Sequence, residues 1–96
     1  MSDWKYAQRD PAEQLARIHY FSMKKQQPEG EVEFVITVRE YVTPEIQSLQ
    51  FFAQADKQTN QTSMPFTPSG WGTTLLAALS ECIKAIHKFP YEGPVK

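Results

Sequence analysis

Only one cysteine, Cys82, and two histidines, His19 and His87, occur in the 96-residue chain. An internal disulfide is excluded, and the scarcity of soft ligands leaves little material for a metal centre. Cys82 and His87 are five positions apart, about 140° around a helix, so they do not share a face. Together with His19 they show neither a C-x2-C nor an H-x3-H spacing. The same geometry weighs against a Cys–His nucleophile pair. No metal and no cofactor are expected. Long apolar runs are missing too, and nothing approaches the roughly 20 residues of a membrane-spanning helix. The first twenty residues carry Asp3, Lys5, Arg9, Asp10, Glu13 and Arg17 and no apolar leader core. A soluble, cytoplasmic protein without a membrane partner is the expectation. Net charge is only −1, so binding to nucleic acid or anionic lipid by bulk electrostatics is not expected.

Hydrophobic residues make up 41% of the chain and charged residues 22%, an ordinary globular balance. At 11.0 kDa a single domain, residues 1–96, buries roughly 65% of its extended surface. The strongest pattern lies between Gly70 and Pro90. Leu75, Leu76, Leu79, Cys82, Ile83, Ile86 and Phe89 follow the spacing of one helical face, with Ala77, Glu81, Lys84 and Lys88 opposite. Thr73 or Thr74 caps the start. Lys84, His87 and Lys88 suit the negative end of the helix dipole, and Pro90 stops the helix. A reduced Cys82 buried on the apolar stripe is expected.

Upstream, Trp4 and Tyr6 sit in an N-terminal arm, residues 1–9, that docks on its own domain or on a partner. Asp10-Pro11-Ala12-Glu13 has the form of a helix start, and a helix from there to about Lys25 is predicted. A competing pattern runs through Arg17–Lys25, where His19, Phe21 and Met23 alternate as in a strand. Gln26–Gly30 is a turn. Glu31–Val42 is the clearest strand, with Val32, Phe34, Ile36 and Val38 on one side and Glu33, Val35, Thr37, Arg39 and Tyr41 on the other. Thr43-Pro44-Glu45 turns the chain into a second, antiparallel strand, Ile46–Lys57. There Leu49, Phe51, Ala53 and Ala55 share one face and Phe52 the other. Residues 58–63 are polar loop. Met64–Pro68 is a short third strand limited to an edge or a bulge by its prolines, and residues 90–96 are a tail.

The predicted fold is α+β: an antiparallel sheet of about three strands with two helices on one face, in the order α-β-β-β-α, with β-β-β-α as the alternative. Leu75, Leu79, Ile83 and Ile86 are to pack on Val32, Phe34, Ile36, Leu49 and Phe51. Gly70-Trp71-Gly72 at the helix start has two readings. One is an anion-binding turn, which lacks the Lys-Ser/Thr of a P-loop. The other is a sharp entry with Trp71 capping the core. Glu31, Glu33, Glu40 and Glu45 lie in or beside strands, where solvated acids are common, so no catalytic dyad is assigned.

The order helix, three strands, helix, with Gly-x-Gly opening the last helix, resembles the double-stranded-RNA-binding domain. That family follows its Gly-x-Gly with phosphate-binding lysines, whereas Thr73-Thr74-Leu75-Leu76-Ala77-Ala78 stands here. A sheet followed by a helix opened by a Gly-Thr-Leu-Ala-type run is also similar to HicB-type antitoxin domains. Both resemblances imply a nucleic-acid-binding or regulatory module, for which Lys24, Lys25, Arg39 and Lys57 are the candidate contacts. The first expectation from the residues themselves is different. It is a non-enzymatic interaction or regulatory module, of the kind found in bacterial and phage genomes, that binds a protein, itself or another. The apolar outer positions Val35, Tyr41 and Phe52, with Trp71, are the candidate interface of a homodimer. Small-molecule catalysis ranks third. The charge argument is checked directly by a mobility-shift titration with generic double-stranded RNA and DNA at physiological salt. No complex is expected, and micromolar binding that weakens steeply with salt would contradict it.

Overall fold

The computed structural model of the chain describes residues 3–10, 12, 13, 15–41 and 49–93. A short 3-10 helix, Asp3–Ala7, precedes β1 (Ala16–Gln27), β2 (Gly30–Tyr41), β3 (Phe51–Ala55), β4 (Ser69–Gly72) and one helix, α1 (Leu75–Lys88). The strands make one antiparallel sheet in the order β1-β2-β3-β4. The α+β class agrees with expectation. The numbers do not: among the described residues four strands and one α-helix replace three and two, closer to the alternative β-β-β-α order.

The predicted helix from Asp10 to Lys25 is replaced largely by β1. Its start signal folds locally as a turn, in which Asp10 Oδ1 accepts the Ala12 N–H at 2.9 Å and Asp10 O accepts the Glu13 N–H at 3.0 Å. Pro11 and Gln14 lie outside the described residues. The turn does not propagate, because Arg17–Lys25 pairs residue for residue with β2 and its alternation matches the pleat. Pro28-Glu29 closes this hairpin, and Gly30 holds a φ of 141° that a side chain would resist. Within the described part of the expected strand Ile46–Lys57, residues 49–57, only Phe51–Ala55 is strand, β3. The Thr43-Pro44-Glu45 turn and residues Val42, Ile46 and Ser48 lie outside the described residues. Met64–Pro68 contributes only the isolated bridge Thr59–Phe66; the fourth strand is instead Ser69–Gly72.

Helix α1 begins at Thr74, whose Oγ1 accepts the Ala77 N–H at 3.0 Å, and ends at Phe89 in extended geometry before Pro90. Ala78, Cys82 and Ile86 are its buried residues. They rest on Val32, Phe34, Ile36, Val38, Ala53 and Ala55. Leu75, Leu79, Ile83 and Phe51 flank this core half-buried, and Leu49 is also half-buried. Leu76, expected on the inner stripe, is 72% exposed. The small residue Ala78 lies at the centre of the contact because the helix lies directly on β4. A Cβ added to Gly70 would come within 2.6 Å of Glu81 Cβ and 2.8 Å of Ala78 O, and one on Gly72 within 2.5 Å of Ala78 N. The two glycines therefore serve close strand–helix approach, not the sharp entry or anion turn that their spacing suggested.

Residues 90–93, expected as a free tail, are docked. Gln27 Nε2 donates to Tyr91 O at 2.9 Å and Gln27 Oε1 accepts the Tyr91 N–H at 2.8 Å. The Tyr91 ring meets Phe34 edge-on at 6.1 Å. The Thr62 hydroxyl and N–H donate to Glu92 Oε1 at 2.7 and 2.9 Å, which holds that carboxyl below its usual range.

Urea denaturation separates these contacts. Ile86→Ala should cost about 2–5 kcal/mol. Gly70→Ala should cost about 1–3 kcal/mol by overpacking. Leu76→Ala should stay within about 0.5 kcal/mol of wild type.

Candidate binding face of the sheet

Cross-strand partners share a face of the sheet. The face opposite α1 therefore carries a row that crosses all four strands: Ile18, Arg39, Phe52 and Trp71. Tyr41 joins it from the next row, with its ring 6.4 Å from that of Trp71 and planes 23° apart. Phe52 and Trp71 lie 4.6 Å apart at 40°. A second row reads Tyr20, Thr37, Gln54 and Ser69; a third contains Ser22 and Val35. Trp71 is 46% exposed, Ile18 44% and Tyr20 69%.

Three of the four expected interface residues, Tyr41, Phe52 and Trp71, thus come together. Val35 shares their face but stands four residues from Arg39 along β2, about 13 Å, with Thr37 between. Trp71 does not cap the core; alternation in β4 turns it outward while Gly70 and Gly72 face the helix. Ile18 and Tyr20 were missed, because a helix was preferred where β1 runs. The alternation of His19, Phe21 and Met23 was the signal that assigned them to the outer side. Tyr6 of the N-terminal segment is 79% exposed.

The four candidate nucleic-acid contacts do not form one patch. Lys25 is on the inner face, where its Nζ donates to Ile86 O and Phe89 O at 3.0 Å each. It therefore satisfies carbonyls at the end of α1 that lack helical partners, and burial lowers its pKa. Lys57 pairs with Asp56 at 2.9 Å. Lys24 stands opposite Glu33 on the outer face. Arg39 alone belongs to the aromatic row.

The scarce chemical groups are also dispersed. His19 Nε2 and Glu40 Oε1 are 3.2 Å apart on the inner face. His87 is exposed. Cys82 is fully buried, its Sγ–H 3.6 Å from Pro68 O, and desolvation pushes its thiol up to about 11. A thiol so placed is a poor nucleophile. Among the described residues, no group of three or more His, Cys, Asp or Glu is placed to hold a metal. No helix among them is long and apolar enough to cross a membrane. Compared with known proteins, the chain matches no family model, no curated protein and no solved structure.

The role of Lys25 is testable by stability alone. Lys25→Met keeps the aliphatic stem and removes the two charge-assisted hydrogen bonds, and should cost about 1–3 kcal/mol in urea denaturation. Lys24→Met should be neutral within about 0.5 kcal/mol.

Proposed function

We propose that this chain is a non-enzymatic interaction module that binds a protein partner through the open face of its sheet. The observation that carries the reading is the cluster of half-buried Tyr41 and Phe52 with the exposed Trp71, beside Arg39. Aromatic residues and arginine dominate the energetic centres of protein interfaces. A pleated face holds such side chains at fixed spacing, so little conformational entropy is lost on binding. The polar row of Thr37, Gln54 and Ser69 gives the apolar centre one hydrogen-bonding border.

A nucleic-acid reading would use the same rings as a stacking platform. It is disfavoured by the lysines. Lys25 is engaged at the helix end, Lys57 has Asp56, and Lys24 faces Glu33. These three lysines therefore do not line one backbone-tracking groove on the aromatic face. Catalysis is disfavoured by the buried, high-pKa thiol and by the dispersal of the histidines.

Affinity capture from an extract of the source cells tests the proposal with matched variants. Phe52→Glu and Trp71→Ala should each lower retention of the captured partner at least tenfold, since central aromatics are worth about 2 kcal/mol or more. Leu76→Glu, on the solvent side of α1, should leave it unchanged. Equal capture by all four proteins would place binding elsewhere.

A further inference from the structure

We propose that β1 is a self-pairing edge, along which a second copy of the chain adds antiparallel to make one continuous eight-stranded sheet. This does not depend on what the open face binds.

The direction of the backbone groups carries the first step. Val35 O accepts the Asp56 N–H, and Tyr41 N–H donates to Gln50 O, each at 3.0 Å. Odd-numbered residues of β2 therefore direct their polar backbone toward β3. In an antiparallel ladder the even-numbered ones then serve β1. Their register partners in β1 are odd-numbered, from Arg17 to Lys25. The N–H and C=O groups of Ile18, Tyr20, Ser22 and Lys24 consequently point away from the sheet. Among the described residues no strand pairs with that edge.

The second step is the absence of the usual defences of an edge. Natural edges are kept short, bulged, proline-bearing or charged. The opposite edge, β4, obeys this with four residues following Pro68. β1 is 12 residues long, pairs without a bulge through its whole length and contains no proline. Its central run Ile18-His19-Tyr20-Phe21-Ser22-Met23 has no acidic or lysine/arginine side chain. An exposed six-residue window of this kind is a pairing template. Lys25, the one lysine whose side chain shares the inner face with Phe21 and Met23, is held at the end of α1.

The third step identifies the occupant. α1 lies on β4, β3 and β2 and does not come against the β1 backbone, so Phe21 and Met23 remain half-buried at the β1 border of the core. A two-fold axis through Ser22 sets Phe21 beside the partner's Met23 and Met23 beside the partner's Phe21. The two half-covered strips become one strip between two helices. The same register sets Lys24 opposite the partner's Tyr20 and Arg17 opposite the partner's Gln27. Lys25 falls opposite the partner's His19, and no two lysine or arginine side chains face each other, whereas an axis through Phe21 would oppose Arg17 to the partner's Lys25. The free backbone groups of the even positions meet each other in this arrangement, so the strand is complementary to itself.

Light scattering and amide exchange on the unmodified protein test this together. The expected mass is twice 11.0 kDa, with the amides of Ile18, Tyr20, Ser22 and Lys24 protected like those of Phe21 and Met23. Tyr20→Lys places a lysine opposite the partner's Lys24 and should weaken association at least tenfold. Ser22→Pro removes one outward donor without touching the β1–β2 ladder and should also yield monomer. If Ser22→Pro fails to fold, exchange and Tyr20→Lys still decide. A monomer at high concentration would overturn the proposal. So would a dimer whose even-numbered β1 amides exchange freely, or one that Tyr20→Lys leaves intact.

Discussion

One helix covers a sheet that is four strands wide, and most other features follow from that mismatch. A helix with its side chains is about 10 Å across and strands lie about 4.8 Å apart, so a single helix covers about two strands. Here it is placed over the β4 side, because Gly70 and Gly72 let its backbone approach where any Cβ would collide. The helix has the small residue Ala78 at that contact and its larger Ile86 about two turns farther along, in the same core as Val32 and Phe34. At the far end, Lys25 reaches from β1 to the last carbonyls of α1. The docked segment around Tyr91 then closes the space beyond the helix over Phe34. Among the described residues no strand or helix lies on the opposite face or against the β1 border, and that face is where the aromatic side chains are placed.

The parts legible in the sequence were those whose local pattern and tertiary role agree. β2 alternates cleanly because one face meets the helix and the other does not, and α1 has both a cap and a proline stop. The β1 segment was misread because two local signals conflict. Asp10-Pro11-Ala12-Glu13 has the form of a helix start, and the Asp10 carboxylate does accept the Ala12 N–H, but within a local turn. Nucleating a helix is costly, and the alternating residues that follow gain a full ladder with β2 instead. Context overrode the cap. The glycine pair was misread for a related reason. Gly-x-Gly before a helix is ambiguous between a turn and a strand lying beneath that helix, and only the packing distance tells the two apart.

The candidate site was partly visible for the same reasons. Tyr41 and Phe52 were assigned to the outer face by strand periodicity alone, which holds wherever the strand itself is right. Trp71 was expected near the contact but also as a core cap; its outward orientation follows from β4, which the sequence does not announce, since four residues with two glycines carry no strand signature. Val35 was placed on the correct face yet lies some 13 Å from the ring cluster along the strand. Lys25 was expected with its neighbour Lys24 among the nucleic-acid contacts. Adjacent residues in a strand point to opposite faces, so the pair never acts together.

In the protein by itself, the Trp71 end of the outer aromatic row meets water. The chain has two tryptophans, so a Trp4→Phe variant reports on Trp71 alone. Its fluorescence should be that of a water-exposed indole, readily quenched by acrylamide at every protein concentration. A blue-shifted emission that resists the quencher in the free protein would show the row already covered, and would contradict the central claim.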